Sequence, residues 1–119
     1  MNKFLIKARY SSGSWARMIS RHDDRAAAVN SLMESYGGSL DAIYWDVESA
    51  AAYALAELPD SVTAAAVVTA MTRTGAFTGV EVHELLTQSQ LRDALVLAGD
   101  ASRVYKVPGY AAMSPDGVS

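Results

Sequence analysis

The stretch from Gly37 to Asp60 constrains the fold more than any other part of the sequence. Gly37-Gly38 is typical of a helix C terminus, and Pro59-Asp60 is typical of a helix start. Between them, residues 39–45 and 50–57 each alternate in the way that successive side chains of a strand do. Asp46 to Ser49 is left for the turn that joins them. This stretch therefore predicts a β-hairpin with one helix before it and another after it.

The chain on either side of this hairpin supplies further strands and helices. Apolar alternation predicts strands at residues 4–10 and 78–86. Helical spacing predicts a first helix over 15–36, capped by Ser14 and interrupted at Asp23-Asp24. A second helix is predicted over 61–74, capped by Asp60 or Ser61. A third is predicted from the Thr87–Gln90 capping box to Ala98, where Gly99 ends it. The order β-α-β-β-α-β-α predicts a ferredoxin-like α+β fold with the strand order 4-1-3-2 and an added C-terminal helix.

These elements divide the chain into a domain and a tail. Residues 1–99 are predicted to form the ferredoxin-like domain. Residues 100–119 carry Pro108-Gly109 and Pro115 and are predicted to be irregular. We expect Tyr105 and Tyr110, on either side of Pro108-Gly109, to dock this tail on the domain or on its partner.

Composition limits the classes of partner and the cellular compartment. The formal net charge of −3 leaves no basic stripe for nucleic acid. The chain has no cysteine, which excludes disulfides and cysteine-ligated metals. No apolar run approaches the roughly 18–20 residues that a membrane span needs. Lys7 and Arg9 interrupt the apolar segment that a signal peptide would require. We therefore expect a cytoplasmic protein that contacts neither nucleic acid nor membrane.

The face of the sheet that the helices leave uncovered predicts self-association. Strict alternation places large apolar side chains on that face: Leu5, Ile43, Trp45, Tyr53, Leu55 and Leu85. So much apolar surface is unusual on a monomer. A second copy of the same sheet is the simplest cover, so the pattern predicts at least a homodimer.

Several segments together resemble the GYD-domain family. They are Phe4–Tyr10, Gly37–Trp45, Glu57–Asp60, Leu85–Thr87 with the helix after it, and Val107–Gly109. The resemblance implies a dimeric α+β barrel, in which two ferredoxin-like sheets close across a dimer. That superfamily includes cofactor-independent monooxygenases, isomerases, polyketide cyclases and haem enzymes. This sequence departs from the family at Glu48, Ala50 and Ala51, where the Gly, Tyr and Asp of the family name would fall, so no role tied to that motif carries over.

Polar side chains on the uncovered face are the candidates for chemistry. His83 and Glu81 share one face of the fourth strand, where an imidazole oriented by a carboxylate suits general-base catalysis. Lys7 and Arg9 lie on the neighbouring first strand and suit a carboxylate or enolate oxygen. The structural alternative is that these charges form hydrogen bonds and salt bridges between subunits.

Two other groups have weaker claims to a functional role. Trp45 and Tyr53 are predicted on the uncovered face, where they would stack on an aromatic ligand or fill a dimer core. His22 with Asp23-Asp24 resembles a metal cluster, but adjacent acids on a helix point apart. We interpret that group as a solvated break in the helix.

The leading functional hypothesis is a homodimeric enzyme that acts on a small aromatic or carbonyl compound without a tightly bound cofactor. Its reaction class would be proton transfer next to a carbonyl, as in isomerisation or cyclisation, or oxygenation of an electron-rich aromatic. The alternative is a non-catalytic module for small-ligand binding or assembly. A haem-binding protein with His83 as axial ligand is a more distant alternative. Each places its site in the barrel that two sheets would enclose.

Overall fold

The computed structural model describes residues 1–101 together with Pro108 and Gly109. The elements are β1 (Asn2–Tyr10), α1 (Ser12–Ser20), α2 (Arg25–Ser35), β2 (Ser39–Asp46), β3 (Ala51–Leu58), α3 (Ser61–Arg73), β4 (Phe77–Leu85) and α4 (Gln88–Ala101). They confirm the predicted ferredoxin-like α+β arrangement with an added helix. The chain divides into two compact units, one ending at Leu85 and one beginning at Leu86.

The first unit, Met1–Leu85, contains the whole sheet. Its four strands lie in the order β2-β3-β1-β4, as predicted, and each neighbouring pair is antiparallel. Along β1, Ile6 pairs with Ala54 of β3 and Val82 of β4, so these three share one face of the sheet. Because side chains alternate along a strand, this register fixes the face of nearly every residue in the three strands.

The core lies between this face and the helices. Phe4, Ile6 and Ala8 of β1 are at most 3% exposed, and Ala56 and Leu58 of β3 are fully buried. Helix α2 packs mainly over β2 and contributes Met33 to the core, whereas α3 packs mainly over β4 and contributes Ala64, Val67 and Met71. The two helices therefore bury the alternating apolar side of the two central strands, as the pattern predicted.

Three short polar side chains cap the helices of this unit. Asp24 accepts a hydrogen bond from the Ala27 amide at 3.0 Å, so the predicted break at Asp23-Asp24 is confirmed. Asp60 accepts from the Thr63 amide at 2.7 Å, and this bond and the Thr63 hydroxyl lower the pKa of Asp60. The first helix begins earlier than predicted. Ser11 caps it by accepting from the amide of Ser14, which is itself inside the helix.

The second unit is described mainly through α4. Thr87 and Gln90 form the predicted capping box, with each side chain bonded to the other residue's amide at 2.9–3.1 Å. The predicted end at Ala98 is wrong, because the helix continues through Gly99 to Ala101. A glycine ends a helix when it adopts positive φ, as Gly75 does after α3, and Gly99 does not. Tyr105 and Tyr110 lie outside the described residues, so the docked tail stays a prediction.

A β-bulge in β2 overturns part of the predicted face assignment. Leu40 pairs with Ala56 and Ala42 with Leu55, so Asp41 is an extra residue between them. A bulge reverses the side to which all later residues point. Ile43 and Trp45 consequently face the helices, and our placement of both on the uncovered face was wrong.

None of the helices in the described ranges is long and apolar enough to cross a membrane.

Candidate functional site

The uncovered face of the sheet, called the open face below, is organised as rows of paired residues. Cross-strand register gives rows that run from β4 towards β2: Leu85-Lys3-Glu57-Ser39, His83-Leu5-Leu55-Ala42, Glu81-Lys7-Tyr53-Tyr44 and Gly79-Arg9-Ala51-Asp46. The two leucines of the central strands, Leu5 and Leu55, therefore lie side by side, and the lysines of β1 lie in the rows on either side of them. The register confirms that His83, Glu81, Lys7, Arg9 and Tyr53 share this face.

His83 and Glu81 form the polar pair that the sequence predicted. The imidazole Nε2 lies 3.6 Å from Glu81 Oε1, and both side chains are more than half exposed in the single chain. His83 pairs across the sheet with Leu5, so its ring stands beside apolar surface. The carboxylate can orient the imidazole. This arrangement suits a proton-transfer group, provided that something closes over the face.

Lys7 joins this pair to the aromatic residues of the hairpin. It pairs with Glu81 on one side and Tyr53 on the other, and its Nζ lies 5.4 Å from the centroid of the Tyr53 ring. That distance is within reach of a cation–π interaction. Lys7 also helps to lower the pKa of Asp46, although hydrogen bonds from Ser49 are the larger cause. Lys7 therefore lies between Glu81 and Tyr53 and contacts the aromatic part of this row.

Arg9 and Lys3 lie at the two ends of the same face of β1. Arg9 is exposed, and its strand partners are Gly79 and Ala51. It therefore lies two residues beyond Lys7 along β1, in the next row. Lys3 forms a salt bridge with Asp41, which raises the pKa of Lys3. The Asp41 carboxylate is therefore already paired with a basic residue of its own chain.

Trp45 does not belong to the open face, contrary to the prediction. Its ring stacks on Tyr10 with centroids 6.1 Å apart, on the side of the sheet that the helices cover. Tyr44 takes the predicted place, opposite Tyr53, and is 67% exposed. The aromatic pair of the open face is therefore Tyr44 and Tyr53. The bulge at Asp41 is the physical reason, and no periodicity in the sequence signals it.

The group around His22 is structural in the first unit. Asp24 caps α2, Asp23 forms an ion pair with Arg25 at 3.1 Å, and His22 Nε2 bonds to the Ile19 carbonyl at 2.8 Å. Among the described residues, no group of three or more acidic or histidine side chains could hold a metal ion. The interpretation as a solvated helix break is confirmed.

A cavity of about 260 Å³ lies on the opposite side of the sheet from His83. Its floor is formed by β1 and β3, including Ile6, Ala8 and Ala54, and its walls by α2 and α3. Nearly all of this lining is apolar; Tyr10, Arg25 and Thr74 supply polar groups. We call it the helix-side cavity. An apolar cavity of about 150 Å³ takes up benzene, so this one has room for a two-ring aromatic or a medium chain.

Small side chains explain why this cavity exists, and why the sequence reasoning missed it. The lining includes Ala28 of α2, Ala70 of α3 and Ala52 of β3, whose side chains are too short to fill the space between the helices and the sheet. Because α2 and α3 cover different halves of the sheet, a gap opens between them above the alanines. The corresponding signal in the sequence is the high alanine content.

The chain is similar to a known protein family and to a solved structure. A family model described as "GYD domain" matches residues 4–95. A crystal structure of an uncharacterized NIPSNAP domain protein from Burkholderia xenovorans is similar, with a TM-score of 0.46 and 12% identity. That alignment covers 73% of this chain and 94% of the other. No curated protein sequence is similar enough to this chain to count as a match.

Proposed function

We propose that the chain, which belongs to the GYD domain family, binds a small and largely apolar organic molecule in its helix-side cavity. The carrying observation is the cavity of about 260 Å³ itself. Its lining is already in place in a single chain. Pockets that bind small molecules are concave, mostly apolar, and provided with a few polar groups that orient the ligand. This proposal corresponds to the small-ligand-binding alternative drawn from the sequence, moved to the other face of the sheet.

The composition of the cavity wall supports a ligand-binding cavity, and not merely a loosely packed core. Met33 is fully buried and Ile6 is 1% exposed, so the cavity is bounded by residues of the hydrophobic core. Tyr10 and Arg25 stand at its rim and supply a phenol and a guanidinium. An apolar body with one polar substituent fits this distribution. An electron-rich aromatic such as a naphthol has both features.

Filling the cavity should block binding without unfolding the protein. Replacing Ala70 with leucine places a larger apolar side chain in the cavity from α3, where leucine is well tolerated. We expect the affinity for 1-naphthol, followed by its fluorescence, to fall about ten-fold or more, while the melting temperature stays equal or rises.

Ala65→Leu is the matched control, since Ala65 is an exposed residue of the same helix and does not line the cavity. It should bind 1-naphthol as the unmodified protein does. Equal affinities for the two leucine variants, or no binding by the unmodified protein, would overturn the proposal.

The open face supports a second candidate function. The proximity of His83 to Glu81, at 3.6 Å, favours proton transfer to or from a small carbonyl compound, with Lys7 near the developing oxyanion. Closure of the site would require a second copy of the sheet, because Leu5 and Leu55, in the same row as His83, are only half-buried in one chain. The protein would then act as a homodimer and without a tightly bound cofactor.

The test of this second function uses the two histidines of the chain. We expect the protein to accelerate deuterium exchange next to the carbonyl of 1-phenylpropan-2-one in heavy water, followed by NMR. His83→Ala should lose this acceleration by a factor of about a hundred or more. Circular dichroism should show that this variant is folded, so that the loss reports on the imidazole.

His22→Ala is the control, because His22 lies at the helix break and is bonded to its own helix. It should exchange deuterium at the unmodified rate. If the His83 variant also kept that rate, His83 would have no part in proton transfer.

A further inference from the structure

A second pocket, of about 210 Å³, adjoins the helix-side cavity. We call it the arginine pocket, because its lining includes Arg17, Arg21 and Arg25, with Asp23 as the acidic residue. Three guanidinium groups against one carboxylate leave an excess of positive charge. The chain as a whole carries a formal net charge of −3, so this concentration of arginines runs against the overall balance.

The two pockets meet at shared residues. Tyr10, Arg25 and Ala76 line both of them, so the arginine pocket begins where the apolar wall of the helix-side cavity ends. A molecule that occupied both would therefore have its apolar part between the sheet and helices α2 and α3. Its other end would lie between α1 and the start of α2.

Arg25 stands at this junction with part of its guanidinium group unused. Its Nη1 donates to Asp23 at 3.1 Å, but its Nε is buried and has no hydrogen-bond partner among the described residues. Burial opposes the charge, yet the pKa of Arg25 is raised because Asp23 and the Tyr10 phenol interact with it. Arginine keeps its charge under all ordinary conditions. A buried donor without a partner is costly, and an anionic ligand would satisfy it.

Arg17 and Ser14 complete the polar wall. Ser14 is 7% exposed, and its hydroxyl accepts from Arg17 Nη2 at 3.2 Å. This bond holds the Arg17 guanidinium at the pocket while leaving its other donors available. Arginine presents donors in a planar fork that matches carboxylate and phosphate oxygens, so two such forks in one pocket are suited to an anion.

From these observations we infer that the ligand is an amphipathic anion: an apolar body in the helix-side cavity and a phosphate monoester in the arginine pocket. This inference rests on the proposed binding function and adds the chemical class of the ligand. The excess of two positive charges in the arginine pocket matches the roughly doubly negative charge of a phosphate monoester at neutral pH. A neutral molecule would leave these charges uncompensated.

The experiment compares two probes that share one ring system. 1-Naphthyl phosphate and 1-naphthol are titrated into the full chain, with fluorescence as the readout. We expect the phosphate to bind about ten-fold tighter or more, since charge-assisted hydrogen bonds are worth more than neutral ones. Arg17 lines the arginine pocket but not the helix-side cavity, so Arg17→Met should remove most of that advantage and leave the affinity for 1-naphthol unchanged. Unchanged 1-naphthol binding also shows that the variant is folded.

Arg73→Met is the matched control, because Arg73 is an exposed arginine at the end of α3 and lines neither pocket. It should keep the full preference for the phosphate. Equal affinities for both probes, each weakened by Ala70→Leu, would overturn the phosphate assignment and leave the proposed binding function standing. If Ala70→Leu weakened neither probe, the proposed function would fail and this inference with it.

Discussion

Replacing Gly38 with alanine should destabilise the protein by about 3 kcal/mol or more. A Cβ atom at Gly38 would lie 2.1 Å from the Glu57 carbonyl oxygen and 2.7 Å from Leu58 Cδ2. Neither neighbour can move easily, because Glu57 pairs with Lys3 and Ser39 in the sheet and Leu58 is fully buried. The amide of Gly38 also bonds to the Met33 carbonyl at 2.9 Å, which ties the end of α2 to the start of β2.

Thermal unfolding followed by circular dichroism measures this effect, and we expect the melting temperature to fall by more than about 10 °C. Gly79→Ala is the matched control. Gly79 lies within β4, and an added Cβ there meets no atom within 4 Å. That variant should be as stable as the unmodified protein or slightly more so, because alanine restricts the unfolded chain. If Gly38→Ala had the same melting temperature as Gly79→Ala, that result would contradict the close approach of Gly38 to Glu57 and Leu58.

Placing a charge at the centre of the open face should convert the protein from a dimer to a monomer. Leu55 lies between Leu5 and Ala42 in the row that begins at His83, and all three are half-buried in one chain. In a symmetric dimer the same patch meets itself, so Leu55→Glu would bury two carboxylates against apolar surface. We expect the unmodified protein to have about twice the chain mass of 12.7 kDa in light scattering, and the variant to have the mass of one chain.

Val62→Glu provides the control for this change. Val62 is 79% exposed in the first turn of α3, where a carboxylate is favourable. This variant should remain dimeric, and circular dichroism should show that both variants are folded. An unmodified protein with the mass of a single chain at micromolar concentration would contradict dimerisation through the open face. That result would also remove the enclosed site around His83 from consideration.

The order and faces of the central strands were predictable because each rests on local pattern. Phe4, Ile6 and Ala8 alternate with Leu5, Lys7 and Arg9, and only one of these two sets is apolar enough to form the core. The shared face of His83, Glu81 and Lys7 followed from the same alternation together with the ferredoxin-like strand order. The helix break at Asp24 and the capping box at Thr87 followed from side chains that bond to nearby amides.

Other features depended on how distant segments meet. The bulge at Asp41 arises in the pairing of β2 with β3, and it exchanged Trp45 for Tyr44 on the open face. Nothing within residues 39–46 distinguishes an extra residue from one more alternation. The end of α4 was missed for a different reason: a glycine ends a helix only where it adopts positive φ, and Gly99 does not.

The sequence by itself determined which side chains of β1 and β3 face the core, how the strands are ordered, and which charged groups share the open face. Periodicity carries that information, since burial of apolar surface selects one face of each element. Only the tertiary structure decided where space was left. The helix-side cavity depends on the distance between α2 and α3 above a floor that includes Ala8 and Ala54, and the junction at Arg25 depends on the entry angle of α2. Volumes between elements are set by packing in three dimensions, and no run of residues along the chain encodes them.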